Sequence, residues 1–306
     1  MKKITKRILN WVSSYHIDMK ENYKFYRKII NFFSVQIEPI YSKLDFEIYG
    51  ETGEIPVRLF VPEKSSMDDL ILFFHGGGWV TGNIESYSNV CATLANKTGR
   101  RVLSVDYKLA PEHPFPQGLN DCYKVYTEIL ANSDTLGVKA ENITLVGDSA
   151  GGNLAAAVSL MLRDNGVPLP GKQVLIYPAT YFDHSEASPF PSVIENGTGY
   201  FMTSQRIQDY MDLYVPNEED RISPYVAPAL AEDLYGQPQT LVISAEFDPL
   251  RDEGEYYGES LKEAGNTAFV YRMPEEIHGF WTNPLRVKAN DKLYEYINNF
   301  LKIELG

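Results

Sequence analysis

From Leu44 onward the chain alternates apolar and polar positions with the two-residue period of a half-buried strand: Leu44, Phe46 and Ile48, then Ile55, Val57, Leu59 and Val61. Gly50-Glu51-Thr52-Gly53 separates the two runs, so together they predict an antiparallel hairpin at a sheet edge. Continuous apolar runs follow at 70–74, 102–105, 143–146, 174–176, 241–243 and 268–271, most of them spaced by helix-length segments. Runs of this kind suit strands buried on both faces. The alternation predicts an α/β fold, with a mostly parallel central sheet flanked by helices and a ligand site at the carboxyl ends of the strands.

Two stretches depart from this rhythm. Residues 1–40 carry a helical period, with Ile4, Ile8, Trp11, Tyr15 and Met19 on one face and Tyr23, Tyr26, Ile30 and Phe33 on another, which predicts two short amphipathic helices. The longest gap between strands lies between 174–176 and 241–243. It holds a helical pattern from Thr203 to Tyr214, and Pro189, Pro191, Pro216, Pro224 and Pro228 break up the rest. The organisation expected is an N-terminal helical cap segment over 1–43 and a catalytic domain over 44–306, with a second cap insertion at about 180–235. No internal repeat, low-complexity tract or separating linker interrupts it.

The chemistry sits where strands end. Directly after the apolar run Ile143-Thr144-Leu145-Val146 comes Gly147-Asp148-Ser149-Ala150-Gly151-Gly152. A strand that turns sharply into a helix leaves no room for Cβ atoms two residues either side of the apex, so glycine is placed there and the serine hydroxyl is thrust outward. A helix N-cap serine would explain Ser149 alone. It would not explain the partners found elsewhere. The run 70–74 leads into His75-Gly76-Gly77-Gly78-Trp79, whose glycines allow backbone N–H groups to approach a substrate oxygen. Asp248 follows the run 241–243 as the candidate acid, and His278 follows the last strand as the candidate base. The order Ser, Asp, His is the one α/β-hydrolases use.

Glu246 and Asp252 compete with Asp248. The first belongs to the strand end, and the second sits where a carboxylate favours a helix N-terminus. His16, His113 and His184 lack motif context and read as surface or structural. His75, with Gly76, reads as support for the glycine loop, and Asp148 as a structural hydrogen-bonding partner. Trp79, Tyr107 and Phe280 lie close enough in sequence to line a substrate cleft, although large aromatics serve equally as core.

The segments HGGGWVTG (75–82), YKLAPEHPFP (107–116), GDSAGG (147–152), DPLRDEG (248–254) and HGF (278–280) together resemble the hormone-sensitive-lipase-like family of α/β-hydrolase carboxylesterases, of the acetyl esterase type. The resemblance covers nearly all the chain from about Leu44. It implies a Ser149, Asp248, His278 triad, with Gly77, Gly78 and Ala150 as oxyanion donors. It also implies hydrolysis of short- to medium-chain acyl esters through an acyl-enzyme without cofactor or metal, an N-terminal helical segment covering the site, and a tendency to form a homodimer. The substrate is left open. An amidase or deacetylase acting on an acetylated metabolite would use the same residues, whereas a non-catalytic receptor on this scaffold would not need the triad intact.

Composition narrows the remaining choices. Apolar residues at 44% and charged residues at 23% suit a globular chain with a large core. A net charge of −13 argues against nucleic acid as a partner and leaves a small-molecule ester as the expected one. That charge is unevenly spread: residues 1–30 hold eight Lys/Arg against two acids, or +6, leaving −19 for the rest. A basic amphipathic segment can lie on a membrane, but here it has an acidic body of its own to dock on. Its apolar run is too broken for a signal peptide, and nothing approaches a membrane span, so cytoplasmic location without stable membrane association is expected. Cys91 and Cys122 read as small buried hydrophobes in a reducing compartment, not as a disulfide. The sequons at Asn142 and Asn196 read as accidents of sequence.

Overall fold

The computed structural model describes residues 20–24, 27–28, 42–64 and 66–304. Its eight strands are β1 (Ser42–Gly50), β2 (Gly53–Val61), β3 (Ser66–Phe74), β4 (Arg100–Val105), β5 (Ile143–Asp148), β6 (Lys172–Ile176), β7 (Gln239–Phe247) and β8 (Ala268–Ile277). They form one sheet in the order β1-β2-β4-β3-β5-β6-β7-β8. The hairpin β1–β2 is antiparallel around the expected turn and sits at the edge; β2 joins β4 antiparallel, and every later pairing is parallel. This is an α/β-hydrolase architecture.

The two-residue period of a strand sends its side chains to two separate cores. Along β3, Leu70, Leu72 and Phe74 enter one core and Ile71 and Phe73 the other. The first core is closed by α2 (Gln117–Ala131, followed by the short α3, Ser133–Leu136), α4 (Ala150–Asp164) and α7 (Arg251–Glu263), and the second by α1 (Ile84–Thr98) and α8 (Val287–Leu301). With both faces covered, continuous apolar runs are what a strand here requires. Cys91 on α1 and Cys122 on α2 are free thiols buried in opposite cores. No helix among the described residues is long and apolar enough to cross a membrane.

β7 and β8 run well past the carboxyl ends of their apolar runs. β8 continues through Pro274 to Ile277, and β7 through Glu246 to Phe247, with a register shift between Ala245 and Phe247. β8 borders the sheet, so a residue without an N–H is tolerated there, and Arg272 and Glu275 face water while Glu276 is buried. These are the extensions that deliver Asp248 and His278 side by side.

The long insertion contains α5 (Ser192–Glu195) and α6 (Ser204–Tyr214), the latter capped by the Thr203 side chain on the N–H of Arg206. Of the N-terminal segment, residues 20–24 and 27–28 are helical. Lys20 pairs with Asp212 of α6, and Arg27 with Glu112. The rest of the helices expected there, including His16, lies outside the described residues.

Gly258 lets α7 lie flat on the sheet: a Cβ there would sit 2.5 Å from Val270 Cγ2 and 3.1 Å from Val242 Cγ2. Gly258→Ala is expected to destabilise the protein by about 1–2 kcal/mol, overpacking outweighing the better helix propensity of alanine. Urea unfolding will read it, and Val270→Ala in the same chain should recover part of the loss.

Candidate active site

Between β5 and α4 the backbone has to reverse within one residue. Ser149 sits at that point with φ 54° and ψ −119°, a conformation that costs a non-glycine residue on the order of 1–3 kcal/mol. Its neighbours make it obligatory. A Cβ at Gly147 would stand 2.2 Å from the Gly151 carbonyl oxygen, and one at Gly151 would stand 2.0 Å from that of Phe74. The turn is held from outside by the Ser149 N–H, which donates to the Ile176 carbonyl at 2.8 Å, while the Ser149 carbonyl accepts from Asn153 and Ala179.

Ser149 Oγ lies 2.9 Å from His278 Nε2, and His278 Nδ1 lies 2.7 Å from Asp248 Oδ2. A carboxylate only accepts, so Nδ1 carries the proton and Nε2 presents its lone pair to the serine hydroxyl. Asp248 is fully buried and its other oxygen accepts the Leu250 N–H at 3.0 Å. Burial pushes the His278 imidazole toward its neutral form. The adjacent Asp248, helped by Asp148 and Glu253, more than offsets this and holds its pKa above the ordinary 6.5.

The glycine loop leaves β3 beside the turn, where a Cβ at Gly151 would lie 2.7 Å from the His75 carbonyl oxygen. His75 donates from Nδ1 to the Gly76 carbonyl and stacks on Tyr107, and complete burial lowers its pKa to about 4, so it stays neutral. Gly76 donates its N–H to Asp148 Oδ1 at 2.8 Å, and the Gly77 carbonyl accepts from Thr81. Among the described residues no acceptor takes the N–H of Gly77, Gly78 or Ala150. The last of these opens α4, where unpaired N–H groups and the helix dipole favour negative charge.

The other sequence-based candidates fall into place around this centre. Glu246 is the penultimate residue of β7 and accepts the Glu275 N–H; Asp252 pairs with Arg251 and accepts the Ser192 N–H. His184 is buried against Glu253 at 2.8 Å, and His113 is exposed. Trp79, Tyr107 and Phe280 have 2% exposure or less: Trp79 stacks on Tyr214, the Tyr107 hydroxyl donates to the His75 carbonyl, and Phe280 packs on Tyr177. These contacts are those of packed side chains.

Several residues with no sequence signal of their own also converge here. Asn196 donates to the carbonyls of Asp248 and Glu246, and Ser192 Oγ to that of Pro249, so the insertion grips the loop that carries the acid. Asn153, on the first turn of α4, donates to the carbonyls of Ala179 and Val226. On α6, Tyr210 lies so close to the glycine loop that a Cβ at Gly78 would come 2.4 Å from its ring. Only a tertiary structure brings such distant positions together.

A family model described as the alpha/beta hydrolase fold matches residues 71–282. The chain belongs to that family. It is 37% identical over 252 residues to an arylesterase of Saccharolobus solfataricus, covering 82% of this chain and 81% of the relative. It is 32% identical over 230 residues to an ethyl acetate hydrolase of Pseudomonas putida, covering 74% and 71%. Among solved structures it is similar to a hyperthermophilic esterase of the archaeon Pyrobaculum calidifontis, with a TM-score of 0.89 and 35% identity over 99% of this chain and 98% of that one. This α/β hydrolase is accordingly an enzyme of the esterase type.

Docking of α6 on the glycine loop can be tested directly. Gly78→Ala is expected to lower both activity and stability. Combining it with Tyr210→Ala should return part of the lost stability, a coupling of about 1–3 kcal/mol in a double-mutant cycle of urea unfolding. Strict additivity would mean that the two sites do not touch.

Proposed function

We propose that this α/β hydrolase is a serine carboxylesterase of the hormone-sensitive-lipase-like, acetyl esterase type, hydrolysing short- to medium-chain acyl esters. The observation that carries the reading is the hydrogen-bonded series Ser149, His278, Asp248, at 2.9 and 2.7 Å. His278 takes the Ser149 proton as Oγ attacks the ester carbonyl carbon. The N–H groups of Gly77, Gly78 and Ala150 hold the oxyanion. Collapse breaks the ester C–O bond, and His278 gives its proton to the departing alkoxide. Water, deprotonated by His278, then attacks the acyl-enzyme, and the second collapse releases the carboxylic acid and restores the Ser149 hydroxyl.

Residues 1–43 and about 180–235 are assigned to a cap over this centre. Arg27 supports the first assignment by donating to the carbonyls of Val80 and Ala110, beside the glycine loop; Asn196 and Tyr210 support the second. Ser149 and His278 are only 8% and 5% exposed, which favours small esters over emulsified lipid. Similarity to a protein named ethyl acetate hydrolase points the same way.

p-Nitrophenyl esters from acetyl to palmitoyl should be hydrolysed with rates that peak at short chains, and Ser149→Ala should cost roughly 10⁵-fold or more in kcat. Efficient hydrolysis of emulsified long-chain triglyceride would overturn the chain-length reading. Because His278 must be neutral to act as base and its pKa is raised, kcat/KM should climb with pH through a midpoint above 6.5. Asp248→Asn should move that midpoint down and lower kcat by about 10⁴-fold.

A further inference from the structure

The buried carboxylate of Asp148, one residue before Ser149, makes no contact with the nucleophile's hydroxyl and has no step in the reaction above. Its oxygens are nevertheless divided between two parts of the machinery. Oδ1 accepts the Gly76 N–H at 2.8 Å, at the base of the glycine loop. Oδ2 accepts the hydroxyls of Tyr87 at 3.1 Å and Tyr177 at 3.3 Å. The Tyr177 ring in turn packs on the His278 imidazole, with centroids 4.7 Å apart. The carboxylate occupies this space so fully that a Cβ at Gly76 would lie 2.7 Å from Oδ2 and 2.9 Å from the Tyr87 hydroxyl. All three side chains are buried.

We propose that Asp148 is a positioning residue of the reaction: one oxygen fixes the glycine loop through Gly76, and the other, through Tyr177, fixes and electrostatically biases His278. The proposal rests on the reading of His278 as base and of Gly77 and Gly78 as oxyanion donors. The groups facing Asp148 are Tyr87 and, farther off, Cys91 from α1, Tyr107 after β4, Tyr177 after β6 and His278 after β8. His278 is faced by Asp248 after β7, Glu253 of α7 and Asp148. Burial raises the Asp148 pKa to about 6, against the pull of its hydrogen bonds. Once ionised, Asp148 favours the imidazolium formed as Ser149 gives up its proton.

The test is the pH dependence of p-nitrophenyl acetate hydrolysis by Asp148→Asn and Tyr177→Phe beside the parent. Asp148→Asn keeps an oxygen for Gly76 and removes the charge. The acid-limb midpoint of kcat/KM should move to lower pH, with kcat down about tenfold and KM within about threefold, less than the loss of an oxyanion donor outright. Tyr177→Phe, which keeps the ring and loses the bond, should shift the midpoint less in the same direction. Midpoints matching the parent in both variants would overturn the proposal. If Asp148→Asn does not fold, Tyr177→Phe alone decides, an unchanged midpoint counting against it. A parent whose activity survives Ser149→Ala would instead overturn the underlying esterase reading.

Discussion

Backbone-to-backbone contact between α4 and the end of β3 is the constraint on which the rest of the site depends. With Gly151 facing the Phe74 carbonyl, the helix starts closer to the sheet than any side chain would permit. A chain leaving β5 can reach that start only by reversing at Ser149, in a conformation that aims the hydroxyl at His278. The strain is small beside the cores that enforce it. Ile71, Leu72, Phe73 and Phe74 on β3, and Val146 on β5, are all fully buried, so neither strand can shift to relieve it.

Charge has to be managed around that turn. Asp248 and Asp148 are both withdrawn from water, a costly arrangement unless each carboxylate is fully hydrogen-bonded. Asp248 is satisfied by Leu250 and His278, and Asp148 by Gly76, Tyr87 and Tyr177. Both also bear on His278, one by direct contact and one through a tyrosine. Their bonds give the imidazole one orientation and one tautomer. The grip of Asn196 and Ser192 on the acid-bearing loop extends the same logic to the insertion, whose helix α6 also lies on Gly78. The insertion and the hydrogen-bonded series thus pack as one unit, and the geometry of the proposed reaction depends on residues from widely separated stretches of chain.

Legibility in the sequence followed the locality of the physics. The strands announced themselves because burial on both faces demands continuous apolar runs, and the hairpin because one-sided burial demands alternation. The turn at Ser149 was readable because a strand that reverses into a helix carries a recognisable glycine pattern, although the contact that requires Gly151 comes from Phe74 on β3. The extension of β8 past Pro274 was not, since it depends on that strand bordering the sheet. Nor was the packing of Trp79, Tyr107 and Phe280, whose neighbours Tyr214, His75 and Tyr177 lie at other places along the chain.

The sequence by itself determined the α/β architecture, the identity of Ser149, Asp248 and His278 as candidates and the glycine loop after β3, because each of these is written in short-range patterns of apolarity and backbone freedom. Tertiary structure alone decided the 2.9 and 2.7 Å contacts, the state of the amides on Gly77, Gly78 and Ala150, and the bridging place of Asp148. Those depend on distances between residues up to 129 positions apart. Only the closing of both cores around the sheet brings such residues within hydrogen-bonding reach.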